Sequence, residues 1–316
     1  MGILVTGAGL IGTAFAREAI DRGETVTFFD PEPREAYLRF RLEQRPFTLV
    51  RGDVRDLPGL IGAAKDAQAE CVVHTAGLIG GNVQRSLSTG FDINIIGTRN
   101  VAETVRLCGV RRLVHISTMG VYDTRRAISG AVREDFPRGA GRGYGNFKAA
   151  KELVLEAYVD QYKFEMLTLR PANVYGFGHF SAGSSGGMKM QALLEAGMQG
   201  GTARIPASEA VANEYVYARD IGRAVDIATR IALPRDRIFN IGNGVVTPFA
   251  KVAAAVAKVC NGVSFDIEDG APGKSRAAAM DISRAVAQLD WRPEFSLEAG
   301  FADYLAEMQC ARAAGY

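Results

Sequence analysis

Short apolar runs alternate along the chain with longer segments in which apolar residues recur at helical spacing. The runs are rich in Val, Ile, Phe and Thr and rarely alternate with polar residues, which is typical of strands buried on both faces. Alternation of strand and helix at this spacing predicts an α/β fold with a doubly wound parallel sheet. We predict strands at Ile3–Thr6, Thr25–Phe29, Phe47–Val50, Cys71–Thr75, Arg112–Ser117 and Glu165–Leu169, and helices at Gly12–Arg22, Ile95–Cys108 and Tyr144–Tyr162.

The pattern changes after about residue 173. A loop-like stretch rich in Gly and Ser follows at 177–187, then a predicted helix at Lys189–Met198, and the later elements are shorter. We predict that residues 1–173 form a cofactor-binding domain, to which elements around residues 213–243 return. Residues 174–316 are expected to form mainly a smaller, interleaved C-terminal lobe that binds the substrate.

Composition limits the class of protein. The chain has 316 residues, 47% of them hydrophobic, and a net charge of +2, which argues against a nucleic-acid-binding surface. No apolar stretch is long enough to predict a membrane span, and the chain is expected to work in the cytoplasm because no charged leader precedes the first strand. Four scattered cysteines and three histidines indicate neither disulfides nor a metal centre.

A glycine-rich turn follows the first predicted strand. Gly7, Gly9 and Gly12 have the G-x-G-x-x-G spacing between a strand and a helix. The first glycine allows a tight turn, the second allows the backbone to approach a pyrophosphate, and the third allows the helix to pack closely on the strand. The helix N-terminus offers free N–H groups to an anion. The turn therefore predicts a dinucleotide site of the Rossmann type.

Asp30 ends the second strand, where an acidic side chain binds the adenosine ribose hydroxyls. Its carboxylate would repel a 2′-phosphate and Glu32 adds to that repulsion, so NAD is predicted over NADP, although Arg34 offers an opposing charge. Small residues after strands three and four suit the rest of the cofactor. The predicted cofactor-binding residues in this part of the chain are Gly7, Gly9, Leu10, Ile11, Gly12, Asp30, Asp53, Val54, Thr75, Ala76 and Gly77.

A third set of residues predicts redox chemistry at a hydroxyl group. Tyr144 and Lys148 are separated by four residues on a predicted helix and share one face, and Thr118 follows strand five. A free phenol has a pKa near 10, and a neighbouring ammonium group is expected to lower it toward neutrality. Tyr144 is then the base that removes a hydroxyl proton as hydride leaves for the nicotinamide, while Thr118 holds the substrate oxygen.

These motifs together resemble those of the extended short-chain dehydrogenase/reductases, the NAD-dependent epimerase/dehydratase family. The matching segments are TGAGLIG at 6–12, GDVRD at 52–56, HTAG at 74–77, ISTMGVY at 116–122, YGNFK at 144–148, LRPANVYG at 169–176 and FNIGNG at 239–244. The resemblance implies that Thr118, Tyr144 and Lys148 are catalytic and that Asn94 supports the active-site helix and its proton relay. It also implies that Tyr144, Lys148, Pro171 and Val174 contact the nicotinamide side, and that the chain forms a homodimer.

Departures from the family pattern concern the substrate. Met119 and Gly120 stand where dehydratases of the family carry an Asp-Glu pair, so dehydration is disfavoured. Asn213 and the segment Gly270–Gly273 replace two arginines that bind a nucleotide diphosphate. A sugar, a sugar acid or another small hydroxy compound is therefore as plausible as a nucleotide sugar. The residues predicted to bind the substrate are Asn82, Thr118, Asn173, His179, Ser184, Tyr215 and Arg276.

Three functions stay open on the sequence alone. The first is an NAD-dependent dehydrogenase that oxidises a secondary alcohol of a small substrate. The second is an epimerase of a sugar or nucleotide sugar, which uses the same residues without net redox change. The third is a catalytically silent NAD(H)-binding sensor, which the complete set of Thr118, Tyr144 and Lys148 argues against.

Overall fold

The computed structural model describes residues 1–139, 143–178, 185–260 and 263–315. Its strands are short, and most lie in one central sheet. In chain order the strands are β1 Gly2–Thr6, β2 Thr25–Asp30, β3 Thr48–Arg51, β4 Ala69–His74, β5 Arg112–Ile116, β6 Glu165–Pro171, β7 Asn173–Tyr175, β8 Thr202–Pro206, β9 Tyr215–Tyr217, β10 Ile238–Ile241 and β11 Ser264–Glu268.

The helices fill the connections between these strands. Two short non-α turns interrupt them, a π-helical turn at Asp92–Ile96 and a 3₁₀ turn at Met119–Val121. The α-helices are α1 Leu10–Asp21, α2 Glu35–Leu42, α3 Leu57–Asp66, α4 Gly81–Arg85, α5 Leu87–Phe91, α6 Gly97–Leu107, α7 Gly143–Tyr162, α8 Ser185–Met198, α9 Ala218–Arg230, α10 Phe249–Val259, α11 Ser283–Leu289 and α12 Leu297–Ala313.

Seven strands form a parallel sheet in the order β3–β2–β1–β4–β5–β6–β10. Successive residues of a strand point to opposite faces, and both faces are covered. In β1, Ile3 and Val5 belong to one hydrophobic cluster, while Leu4 between them belongs to another. The predicted doubly wound parallel fold is confirmed, and burial on both faces explains why the strands lack polar alternation.

Helix α1 shows where the predicted boundaries shift. The chain is already helical at Leu10, so Gly12 lies inside α1, where a Cβ atom would come 2.5 Å from the Gly7 carbonyl oxygen. The helix predicted at Ile95–Cys108 is shorter as an α-helix because its first turn is π-helical. Such turns are frequent at functional sites, and this one carries Asn94.

The late part of the chain adds to the first unit and also forms a separate cluster. Strand β10 pairs with β6, and α9 packs on α1. A separate hydrophobic cluster joins α8, α10 and α12 through Leu193, Val256 and Tyr304, and two small parallel sheets, β8–β11 and β7–β9, accompany it. The division of the chain at residue 173 stays a prediction. Within the described ranges, no helix is both long and apolar enough to cross a bilayer.

The contact between α1 and α9 yields a stability prediction. A Cβ atom on Gly222 of α9 would lie 2.6 Å from the backbone oxygen of Ala14, which cannot move without shifting α1. We expect Gly222→Ala to lower the free energy of unfolding by about 1–3 kcal/mol through overpacking, despite the better helix propensity of alanine. Urea unfolding monitored by circular dichroism measures this change.

The matched control is Gly62→Ala in α3, where an added Cβ would meet no atom within 4 Å. Relief of the helix penalty of glycine should raise the free energy of unfolding there by about 0.5–1 kcal/mol. Equal effects of the two substitutions would mean that α1 and α9 are not in close contact.

Candidate active site

The glycine-rich turn between β1 and α1 leaves backbone exposed to a cavity. Gly7 has a φ of +93°, in the region that favours glycine, and its N–H donates to the Phe29 carbonyl oxygen at 3.0 Å. A Cβ atom on Gly9 would meet nothing within 4 Å, so the space above this residue is open. The turn therefore presents its backbone and the N-terminus of α1 to a ligand, as a bound pyrophosphate requires.

Asp30 is held directly beside this turn. One of its carboxylate oxygens accepts a hydrogen bond from the Ala8 N–H and the other from the Glu32 N–H, both at 2.9 Å. The acidic group is therefore fixed next to the glycines rather than turned to solvent. This position fits the adenosine ribose of a dinucleotide, and the carboxylate of Glu32 in the same wall adds negative charge.

One cavity of about 550 Å³ runs past the C-terminal ends of β1, β4, β5 and β6. Most of the residues predicted to bind the cofactor line it, together with the predicted catalytic residues. From the predicted set the cavity wall contains Gly7, Gly9, Leu10, Ile11, Asp30, Asp53, Val54, Thr75, Ala76, Gly77, Thr118, Tyr144, Lys148, Pro171, Asn173 and Val174.

Asp53, which was predicted to bind the cofactor, is already paired with another side chain of the protein. Arg55 binds both carboxylate oxygens of Asp53, with its Nε at 3.0 Å and its Nη2 at 2.6 Å, and these bonds hold the pKa of Asp53 below its usual value. The carboxylate is therefore already paired. It can still accept from an adenine amino group, since a carboxylate accepts several hydrogen bonds.

At the other end of the cavity, Thr118, Tyr144 and Lys148 form one group. The Thr118 hydroxyl lies near the Tyr144 ring, since a Cβ atom on Gly120 would come 3.4 Å from the one and 3.8 Å from the other. This hydroxyl also accepts the Gly120 N–H at 3.1 Å, which fixes its orientation. Lys148 is buried, and its Nζ donates to the Ile116 carbonyl oxygen at 2.9 Å. The helix thus places phenol and ammonium on the same wall, as their spacing predicts.

The pKa of the phenol differs from the expectation. Burial raises the pKa of Tyr144 to about 12, and the nearby Thr118 hydroxyl only partly offsets this. Burial also lowers the pKa of Lys148 to about 8, against the opposing effect of the Glu152 carboxylate. The lowering of the Tyr144 pKa that was expected from Lys148 is therefore not found. Oxidised nicotinamide carries a positive charge, which would favour the phenolate once it lies in this cavity.

Several predicted residues are not in the cavity wall. Gly12 packs under the turn, and Asn94 is buried, with its Nδ2 donating to the Leu78 carbonyl oxygen at 3.2 Å. Asn94 therefore contacts the loop after β4, and its predicted role in a proton relay stays a prediction. Its Oδ1 has no hydrogen-bond partner within the described part of the chain.

The residues predicted to bind the substrate do not all lie in the cavity wall. Asn82 bonds to Arg85 within α4, at 3.3 Å. Tyr215 is buried, with its hydroxyl 3.4 Å from Nζ of Lys189, because the side chains of β9 alternate between two sides. Arg276 lies 4.0 Å from Glu214 behind the cavity. Of the predicted substrate set, the structure brings only Thr118 and Asn173 to the wall, while His179 and Ser184 lie outside the described residues.

The cavity wall also contains residues that were not predicted from the sequence. Tyr37 of α2 lies in the wall, and Leu78 and Ile79 follow the HTAG segment directly. Ser117, next to Thr118, also lines the cavity. The signal for Ser117 was its position at the C-terminal end of a strand, where ligands bind in open α/β sheets.

The position of Asp30 gives a testable prediction about the cofactor. In Asp30→Ala the repulsion of a 2′-phosphate is removed, so the preference for NAD over NADP should fall by about tenfold or more. Asp30→Asn should have the same effect while its amide oxygen still accepts the Ala8 N–H. Dissociation constants for the two cofactors, measured by calorimetry, check this.

The control is Asp53→Ala, which removes a carboxylate from the same cavity that is already paired with Arg55. Its ratio of dissociation constants should stay near that of the unmodified protein. An unchanged ratio in both Asp30 variants would show that this carboxylate does not select the cofactor.

Comparison with known proteins agrees with this geometry. Residues 3–242 match the model of the "NAD dependent epimerase/dehydratase family". The UDP-glucose 4-epimerase of Mycolicibacterium smegmatis is 32% identical over 313 residues, which cover 96% of each chain. The dTDP-glucose 4,6-dehydratase of Streptomyces antibioticus is 27% identical, over 96% of this chain and 90% of that protein.

Among solved structures, the UDP-glucose 4-epimerase of Thermus thermophilus in complex with NAD superposes with a TM-score of 0.83. The two chains are 25% identical, over 98% of this chain and 99% of that one. The open turn, the fixed Asp30 and the cavity beside them fit NAD, so the predicted cofactor is confirmed at the level of the family. The resemblance found in the motifs is thereby confirmed as well, and the chain belongs to the NAD-dependent epimerase/dehydratase family of enzymes.

Proposed function

We propose that this enzyme is an NAD-dependent epimerase that inverts a secondary hydroxyl of a sugar or nucleotide sugar. The observation that carries the proposal is the grouping of Thr118, Tyr144 and Lys148 in the wall of the same cavity as the glycine turn. The relatives support epimerisation over net oxidation, because the UDP-glucose 4-epimerase of M. smegmatis covers nearly the whole chain.

The residues divide the chemistry between them. NAD, when bound, accepts a hydride from the carbinol carbon and returns it. Tyr144 takes the hydroxyl proton in the oxidation and gives it back in the reduction. Thr118 donates a hydrogen bond to the reacting oxygen. The positive charge of bound oxidised nicotinamide would favour the phenolate, with the Lys148 ammonium group in the same cavity wall. Inversion requires that the keto intermediate turn within the cavity before the hydride returns.

A net dehydrogenase acting on a smaller substrate is the second candidate. The positions of the two expected arginines carry no positive charge: the Asn213 side chain accepts the N–H of Glu214 at 3.0 Å, and the segment at 270–273 packs against Ser208. A diphosphate would therefore lack these two partners. This favours a sugar or sugar acid that is oxidised and released.

Dehydration stays disfavoured as a prediction, although a dehydratase is among the relatives. Met119 and Gly120 form a 3₁₀ turn after Thr118 and offer no carboxylate for an elimination. A silent NAD(H) sensor is the remaining alternative. It would have no use for Thr118 and Tyr144 in the same cavity wall.

The experiment that tests the proposal incubates the purified protein with UDP-glucose, UDP-galactose, free sugars and aldonic acids. Epimers that form without NADH accumulation support the epimerase. NADH accumulation with a free sugar or acid would instead support the dehydrogenase. If neither epimers nor NADH form with any of these compounds, the result contradicts both the epimerase and the dehydrogenase.

In the same assay Tyr144→Phe should lower kcat by roughly 100-fold or more, because the base is lost, while the affinity for NAD is largely kept. The matched control is Tyr158→Phe on the same helix, whose hydroxyl donates to Glu103 at 2.8 Å away from the cavity. Full activity of Tyr144→Phe would show that another group is the base.

We also propose that the enzyme forms a homodimer through α6 and α7. These helices expose apolar side chains to solvent: Leu107 is 49% exposed, Leu153 54% and Tyr162 47%. Exposed apolar side chains on neighbouring helices are typical of a surface that a partner covers. A second copy of this chain is the occupant that the resemblance implies.

Leu153→Arg places a charge in that surface and should convert the dimer to a monomer, which sedimentation equilibrium measures. The control is Leu233→Arg, a partly exposed leucine after α9 and outside this surface. An unmodified protein that sediments as a monomer would contradict the dimer, as would a Leu153→Arg variant that stays dimeric.

A further inference from the structure

One buried carboxylate contacts three segments that carry the site. Glu152 lies in α7, four residues beyond Lys148, and its side chain is fully buried. Arg170 binds it through two bonds, from Nε at 2.9 Å and from Nη2 at 2.6 Å. The Ser117 hydroxyl donates to the same carboxylate, and Arg138 adds a bond at 3.0 Å.

Two of these partners, Ser117 and Arg170, lie at the cavity wall or directly beside it. Ser117 precedes Thr118 at the end of β5, and Arg170 precedes Pro171 at the end of β6. Glu152 itself follows Lys148 by one helical turn. A shift of this carboxylate would therefore move the Thr118 hydroxyl, the strand end at Pro171 and the Lys148 ammonium relative to one another.

The partners of Glu152 are also anchored on their far sides. Arg170 donates from Nη1 to the Tyr122 hydroxyl at 3.0 Å and to the Glu134 carbonyl oxygen at 2.8 Å. The Tyr122 hydroxyl donates to Oδ1 of Asn240 in β10, at 2.5 Å. The network therefore extends from the catalytic helix across β5 and β6 to the last strand of the sheet.

Such a network is costly to bury and needs every partner in place. Apolar side chains of similar volume would hold the helix on the sheet without that cost. They would not fix the direction of Ser117 or supply negative charge near Lys148. The buried polar bonds are thus better explained by the geometry they impose than by the stability they add.

We propose that Glu152 is a positioning residue of this active site, which sets the Thr118 strand end and the Lys148 ammonium against Tyr144. The consequence for kcat rests on the function proposed above, whereas the effect on Lys148 does not. Glu152 acts through Ser117 and through its charge, and it is not itself in the cavity wall.

The charges around Glu152 determine the direction of its electrostatic effect. Burial raises the pKa of Glu152, but the bonds from Arg170, Ser117 and Arg138 bring it below the usual value, so the group is ionised. On the same helix, Lys148 and Lys151 are both buried, and Lys148 lowers the pKa of Lys151. From β4 and β5, the buried His74 and His115 have lowered pKa values, so they add no positive charge at neutral pH.

The Glu152 carboxylate raises the pKa of Lys148, against the larger lowering by burial. In Glu152→Gln the pKa of Lys148 should fall below its value of about 8. NMR of the NAD-free protein with isotope-labelled lysine measures this titration, with the Lys148 signal assigned by Lys148→Arg. Glu156→Gln is the matched control, since Glu156 lies one turn further along α7 and binds the same Arg138.

Steady-state kinetics test whether Glu152 positions the strand end that carries Thr118. Ser117→Ala removes the link between Glu152 and the Thr118 strand end while leaving the pair of Glu152 and Arg170 intact. We expect kcat to fall by about tenfold with KM nearly unchanged, and Glu156→Gln to behave as the unmodified enzyme. If Glu152→Gln does not fold, the Ser117→Ala result decides.

Two results would overturn the proposal. One is a Lys148 titration in Glu152→Gln that matches the unmodified chain. The other is a kcat of Ser117→Ala that equals that of Glu156→Gln. If the unmodified protein acts on none of the tested substrates, the proposed function fails, and the NMR titration still tests Glu152 on its own.

Discussion

The location of the site follows from one constraint, namely that β1 lies between β2 and β4 in a sheet whose strands all run in the same direction. The carboxyl ends of these strands meet at one edge, and the connections from β1 and β4 leave toward opposite faces, which opens a crevice between them. Gly7 after β1 and Thr75 after β4 both line this crevice. Their contact is direct, since Oγ1 of Thr75 donates to the Gly7 carbonyl oxygen at 3.0 Å. The rest of the site depends on this crevice, because β5, β6 and α7 add their residues along the same edge.

A second constraint is the burial of Tyr144 and Lys148, the two ionisable groups that are proposed to act on the hydroxyl group. Burial shifts both Tyr144 and Lys148 toward their uncharged forms, raising the pKa of one and lowering that of the other. Proton transfer from a hydroxyl group needs the opposite, a phenolate beside an ammonium group. The fold compensates with fixed charges and dipoles, among them the Glu152 carboxylate behind the lysine and the Thr118 hydroxyl beside the phenol. Burial thus opposes proton removal by Tyr144, and the positive charge of oxidised nicotinamide would favour it once that cofactor is bound.

The sequence predicted much of this arrangement where the signal is local. The glycine turn, Asp30 and the four-residue spacing of Tyr144 and Lys148 depend only on a strand and a helix forming where the apolar pattern places them. The neighbouring residues of the cavity wall could be predicted because they lie at the C-terminal ends of strands. Prediction failed where a side chain's direction depends on distant packing. Tyr215 points away from the crevice because β9 pairs with β7 and presents alternate residues to two sides. Glu152 was missed because its partners, Ser117 and Arg170, come from two strands that are distant in sequence and adjacent only in the sheet.

The central claim is that hydride leaves the substrate and returns to it within one binding event. Isotope retention in a single turnover tests this most directly, with a nucleotide sugar deuterated at the carbon that is inverted and the enzyme in excess over substrate. We expect the epimer to keep the deuterium and no deuterated NADH to be released. Deuterium found in free NADH would show a dehydrogenase, and loss of deuterium to solvent would show inversion by proton abstraction from carbon. Either result would contradict the account.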